Sequence, residues 1–441
     1  RFKEFLEEEG LPGNEKREVI TIPLNVTYDV GKQLKVLRPK RKKTDGTEFD
    51  FKRDGKVPEV GDVPPYLHKN PVVSDWYPRI QARQSRGREV EGQKHEGVLR
   101  PTHLALLNFD ELYFELERFK RERTWHNLNL TKDGIRRALS DGTWYRLYLP
   151  AASLEAASFQ DVRLWQQVAT ELLKRYCDRL YNYRKSEFLE PRLEYRELQE
   201  AEALPDEREY TLTVDGDDAT LVQQILKLKE DLEKSKDALL KVGDLAACRF
   251  GRHLYQPLLH VRRGGRIKVS PVALNESEYQ FVTDLIDYHA KHEKALAKSG
   301  TELFLLRNLS RGKGVGFFEA GNFYPDFILW LLEGGKQYVT FIEPHGLLHG
   351  EGPGSPKAQF HLKIKEIETR LADPDVVLNA YLLSPTAQHQ LPWGWSPADF
   401  ERNHVLFMAQ DGLYVDKLMK GARGRRLKLR AAIPAEGRLV C

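Results

Sequence analysis

Two apolar runs, FILWLLE from Phe327 and KQYVTFIEP from Lys336, meet at Gly334-Gly335. Paired glycines at such a junction specify a two-residue hairpin turn, because both central residues of a type I′ turn need positive φ. The turn sets the register. Glu333 pairs with Lys336, and counting outward puts Asp326 directly opposite Glu343, with Cβ atoms roughly 4.5–5.5 Å apart. His345 lies two residues beyond Glu343, shares its face and faces Tyr324.

Facing carboxylates in an apolar sheet are destabilising unless something offsets them. One carboxyl can keep its proton. Alternatively, a hard divalent cation can bridge the pair, with a backbone carbonyl and waters completing its shell; this is the favoured reading. The bland alternatives are a slipped register or a neighbouring cation, for which Arg307 on the preceding strand is the candidate.

Around the hairpin the pattern is orderly. Helical spacing predicts a helix over 276–292, a strand over 302–308, the hairpin, a helix over 357–371, then strands over 375–383 and 403–409. The order α-β-β-β-α-β with a further strand describes an α/β (mixed α+β) fold, a mixed sheet flanked by helices. Earlier in the chain, residues 17–37 read as a pair of strands, and 38–100 as polar surface loops. A helix is expected from 109, carrying Leu112, Leu116 and Phe119. A long amphipathic helix follows over 159–187, with Val162, Trp165, Ala169, Leu172, Tyr176 and Leu180 on one face. Its aromatic stripe of Trp165, Tyr176 and Tyr183 reads first as packing and second as a stacking surface for bases. A strand over 209–214 and a charged helix over 219–242 complete the reading.

The chain has 441 residues, enough for two or three domains. With 41% hydrophobic and 30% charged residues it belongs to neither the disordered nor the membrane class. No apolar run approaches the ~20 residues of a bilayer span, and no signal peptide is visible. Arg1, rather than Met, reads as the start of a processed chain or of a piece of a longer one. Cys177, Cys248 and Cys441 are far apart and form no CxxC, which argues against a disulfide framework or zinc finger and fits a reducing cytoplasm. The net charge of +4 is small, so its distribution matters more. Lys40-Arg41-Lys42-Lys43 and the run containing Arg423, Arg425 and Arg426 are candidate DNA phosphate contacts or solvated loops and tails.

Pro325-Asp326, sixteen residues, then Glu343-Pro344-His345 resembles the PD-(D/E)XK signature of restriction-type nucleases. More narrowly, LFLLRNLSRGKGVGFFEAGNFYPDFILWLLEGG followed by YVTFIEPHGLLH resembles the C-terminal nuclease of type III restriction (Res) subunits and related helicase–nuclease proteins. RFKEFLEEEGLP, EVITIPLNV and DGTWYRLYLP are similar to the part of such proteins beyond their motor. The resemblance implies a helicase-associated region over 1–205, a connector over 206–270, a nuclease domain over 271–420 and a basic tail over 421–441. It implies a metal-dependent DNA endonuclease of a restriction or phage-defence system, with Mg2+ or Mn2+ as cofactor. Its partners would be DNA and an SF2-type helicase motor, in the same longer protein or on another chain.

Asp326 and Glu343 would then be the metal ligands. The family usually has Lys two residues after the Glu; here it is His345, able to donate a hydrogen bond or act as a base near neutral pH, or else the mark of a non-catalytic, DNA-binding descendant. Glu278 either points into the site or closes a capping box with Asn275. Glu319 is an accessory carboxylate or a loop residue. Lys363 and Lys365 either reach a phosphate, one replacing the missing Lys, or lie on a solvated helix face. No Gly-Lys pair is followed by Ser or Thr, so there is no Walker A, and no DEAD or DEAH box is present. ATP would act through a motor outside this chain. HExxH and GxSxG are also absent, which leaves a protease or esterase without support. The alternative to an enzyme is an inactive nuclease-fold module that binds DNA or docks a partner.

Overall fold

The computed structural model describes residues 17–27, 29, 32–40, 42–69, 71–77, 95–155, 158–199, 208–216, 218–234, 238–262, 266–308, 325–344, 346–347, 356–391, 393–408 and 412–424. The protein is a mixed α/β molecule. Its central element is a five-stranded sheet of β1 (Glu302–Arg307), β2 (Phe327–Glu333), β3 (Lys336–Pro344), β4 (Val376–Ser384) and β5 (Val405–Phe407), adjacent in that order. β1 to β3 run antiparallel, and β3 to β5 run parallel.

The hairpin forms in the expected register. Glu333 pairs with Lys336 and Phe327 with Ile342. Gly334 and Gly335 have φ of 61° and 80°, as a type I′ turn requires. Alternating side chains supply both faces of the sheet. Helix α1 (Glu276–Ser299) puts Phe281 edge-on to Phe327, while helix α2 (Pro356–Leu371) puts Phe360 against Phe341 on the opposite face. Helix α1 starts at a capping box made by Asn275 and Glu278 and stops at Gly300 in the left-handed conformation. A third helix, α3 (Leu413–Ala422), buries Tyr414, Val415 and Leu418 in the same core.

Three strands lie within 17–39, none pairing with another of them, and the short Asn25–Val26 pairs with Tyr255–Gln256. Arg17–Pro23 runs antiparallel to Glu209–Asp215, and Lys35–Pro39 antiparallel to Leu193–Glu197. Both ladders join the core of the five-stranded sheet. Trp330 donates its indole N–H to the Lys35 carbonyl at 2.8 Å, and the Lys35 ammonium meets Asp373 at 2.7 Å. A separate core gathers residues from Phe51 to Phe188 around the helix Phe159–Leu189.

Three local expectations change. The stretch 38–100 is not all surface loop: it contains strands Val72–Asp75 and Glu96–Gly97 and buries Val60, Leu67 and Trp76. The helix expected over 219–242 ends at Lys234, and Ala238–Val242 is a strand paired with Leu245–Arg249. The aromatic stripe is core: Trp165 and Tyr176 are buried, and Tyr183 stacks on Tyr66.

Candidate active site

The row that crosses the mouth of the hairpin holds the two expected carboxylates. Glu343, near the end of β3, is buried. Its Oε2 accepts the backbone N–H of Asp326 at 3.2 Å, and its Oε1 meets the ammonium of Lys357 at 3.1 Å. Asp326 stands one residue before β2. Burial first, then the negative charges of Glu343 and Glu278, push its carboxyl up to about 8, against the opposing pull of Arg307 and Lys357. Among the described residues no cation pairs with Asp326 directly. The two facing carboxylates thus differ: a lysine offsets Glu343, while burial and like charge shift Asp326 towards its neutral form.

Arg307 does not neutralise this pair. Its buried guanidinium binds Glu278 at 2.9 Å and donates to the carbonyls of Val272 and Ala273. Glu278 closes the capping box, accepting the Asn275 N–H at 2.7 Å, and is buried beside Arg307.

Lys357 is the residue that sequence reasoning missed. Lys363 and Lys365 lie on the same helix but turn elsewhere: Lys363 pairs with Glu190 at 2.7 Å and Glu366 at 3.2 Å, and Lys365 with Glu368 at 2.9 Å. The signal was periodicity. Phe360, His361 and Ile364 are the buried stripe of α2, and Lys357 lies three, four and seven residues before them, on the same face.

Beside Glu343 and Lys357 lies a narrow cavity of about 10 Å³, room for roughly one water, also lined by Pro325, Tyr381, His361 and His404. His404 is sandwiched between Tyr381, at 4.5 Å between ring centres, and His361, at 5.0 Å. Its Nδ1–H donates to the Ala380 carbonyl. Burial holds it neutral, with its pKa lowered to about 4.

On the other side of Asp326 stands Asn308. Its backbone N–H donates to the Asp326 carbonyl at 2.7 Å, and its Nδ2 donates to the Pro325 carbonyl at 3.0 Å.

His345 and Glu319 lie outside the described residues, as do Arg41, Arg425 and Arg426. Of the other basic candidates, Lys40 and Lys42 are exposed, Lys43 pairs with Asp54 at 3.0 Å, and Arg423 is held by Glu333 at 2.8 Å. Lys43 and Arg423 are therefore committed to carboxylates of this chain.

Hard carboxylate oxygens suit magnesium or manganese better than a soft metal. Among the described residues, however, no group of three or more His, Cys, Asp and Glu side chains is placed to hold a metal ion. No helix among the described residues is long and apolar enough to cross a membrane. Comparison with family models, with curated proteins and with solved structures found no match to this chain.

Proposed function

We propose that this chain is a metal-dependent deoxyribonuclease, the nuclease-bearing part of a restriction or phage-defence helicase–nuclease system of the cytoplasm. One observation carries the reading: Asp326 and Glu343 meet across adjacent strands at one end of the sheet, with Lys357 bound to one of them. Pro-Asp, Glu and Lys are the residue types of the PD-(D/E)XK signature, with the lysine brought from α2 rather than from the position of His345.

Magnesium or manganese bound by Asp326 and Glu343 would polarise a phosphoryl oxygen and make a bound water a better nucleophile. The protein's own groups have definable tasks around that chemistry. Asp326, whose carboxyl is shifted towards its neutral form, would have to give up a proton to serve as a charged ligand. Lys357 fixes the rotamer of Glu343 and brings a positive charge to the place where a scissile phosphate would lie. DNA would be delivered by an ATP-driven motor that is not among these residues.

A second reading keeps the fold without the chemistry. It draws on the contact of Lys357 with Glu343, which satisfies that carboxylate within the chain, and on the small volume of the adjoining cavity. The chain would then bind DNA or a partner without cutting.

Incubation of supercoiled plasmid with the purified chain, in magnesium, manganese or EDTA, tests the proposal. Metal-dependent nicking by the wild type and none by Asp326→Ala is the expected result. Equal behaviour of the two proteins, with metal present, would leave the non-catalytic module.

A further inference from the structure

Asn308 continues the β1–β2 ladder beyond its last strand pair. Arg307 faces Phe327, so the next residue outward faces Asp326, and the 2.7 Å bond from the Asn308 N–H to the Asp326 carbonyl closes that rung. Glu343 occupies the corresponding rung on the other side. Asn308, Asp326 and Glu343 therefore form one row across three neighbouring strands. Residues opposite one another in a sheet project to the same face.

The orientation of the Asn308 amide is settled by chemistry. The group 3.0 Å from the Pro325 carbonyl must be the NH2, because a carbonyl oxygen there would face another oxygen. The Oδ1 end is then fixed, and it is a buried acceptor with no hydrogen-bond partner among the described residues, on a residue only 9% exposed. A buried orphan oxygen is costly and calls for an explanation. A cation in the row would provide one, since two carboxylates leave most of a six-oxygen shell unfilled, and an amide oxygen is a hard, neutral donor.

We infer that Asn308 supplies its Oδ1 as a third protein oxygen to a divalent cation held by Asp326 and Glu343. This rests on the metal-site reading above and adds to it a ligand that no carboxylate pattern contains. The amide has two separable ends: Nδ2 holds the Pro325–Asp326 peptide in place, and Oδ1 faces the ion.

Manganese titration of the full chain, followed by calorimetry and by the metal-induced rise in melting temperature, decides the matter. Wild type, Asp326→Ala, Asn308→Ala and Asn308→Asp are compared. The expected result is at least a tenfold weaker Mn2+ affinity for Asn308→Ala. Asn308→Asp, which keeps an oxygen at that place but loses the donor to Pro325, should stay within about threefold of wild type. If Asn308→Ala binds within twofold of wild type, the inference falls while the metal site stands. If Asn308→Asp binds as weakly as Asn308→Ala, the residue merely positions the Asp326 backbone, and the ligand role falls. If the wild type binds no better than Asp326→Ala, the metal site and this inference fall together. Should Asn308→Ala prove unfolded by its melt without metal, the comparison of Asn308→Asp with wild type remains decisive.

Discussion

The backbone N–H of Asp326 donates to the Glu343 carboxylate at 3.2 Å, so the main chain that carries one acid stabilises the charge of the other. Glu343 gains a second donor in Lys357, whereas Asp326, half-buried beside like charges, has its carboxyl pushed above the usual carboxylate range. The two acids are therefore unequal before any ligand arrives.

That inequality predicts a pH signature. Asp326 moves from 3.8 when unfolded to about 8 when folded. Between those values the native state binds the extra proton, so stability declines as pH rises from about 4 to 8, by at most about 1.4 kcal/mol per pH unit. Asp326→Asn keeps the shape and removes the titration. Its melting temperature should fall less than that of wild type between pH 6 and 8. Calorimetric titration of the wild type with magnesium at pH 7 should also show proton release, seen as a dependence of the heat on buffer ionisation enthalpy. Asp326→Asn should show none.

Lys357 separates the catalytic from the inert reading. Lys357→Met leaves Glu343 buried without its cation, a loss of about 2–3 kcal/mol, below that of a fully buried pair because Lys357 is 22% exposed. If the lysine also faces the phosphate, nicking drops by about 10²–10³ under conditions where the variant remains folded. Lys363→Met and Lys365→Met, whose partners are Glu190, Glu366 and Glu368, should cut at the wild-type rate. Plasmid nicking and thermal melts on the same samples make the comparison.

The contrast between these lysines shows where the sequence was legible. A two-residue Gly-Gly turn has few conformations, so it sets a register that can be counted outward to Asp326 and Glu343 without knowing the rest of the fold. Asn308 belongs to the same row, but the residues from 309 to 324 separate β1 from β2 in sequence, too many for a register to be counted across them as it is across Gly334-Gly335. The helix that carries Lys357 was read almost as it forms, 357–371 against Pro356–Leu371, but its packing on the end of β3, which brings Lys357 to Glu343, is a contact between separate elements that local spacing does not contain. Pairing between distant segments was beyond local reading: nothing near Arg17–Pro23 indicates that its partner is Glu209–Asp215, across the whole of a second core. Ala238–Val242 was read as helix because its apolar residues continue the preceding pattern, and the pairing that makes it a strand lies beyond the turn at Gly243.

Two buried histidines predict an acid limb of opposite sign. Burial lowers His404 to about 4 and His253 to about 3, and the Nε2 of His253 accepts the Arg307 N–H at 2.8 Å. Both are neutral when folded and charge more readily when unfolded. The stability they contribute is complete above about pH 6.5 and is lost as pH falls towards their folded values. His404→Gln should flatten the fall in melting temperature between pH 6.5 and 4. Asp326→Asn should steepen it, because the opposing carboxyl no longer compensates.

The pair formed by Arg307 and Glu278 tests whether the hairpin site depends on its supports. Arg307 is held by one carboxylate and two carbonyls at the foot of α1, and its own backbone N–H is bound by His253. Arg307→Leu strands Glu278 as a buried charge and should cost roughly 3–5 kcal/mol in chemical denaturation. Arg307→Leu combined with Glu278→Gln removes both charges and should recover part of that loss, with a coupling energy of roughly 0.5–3 kcal/mol. Neither residue touches the proposed metal, so at temperatures where both variants are folded their Mn2+ affinity should change far less than that of Asp326→Ala. A double variant that is folded yet unable to bind Mn2+ would move Glu278 from the support of the site into its ligand set.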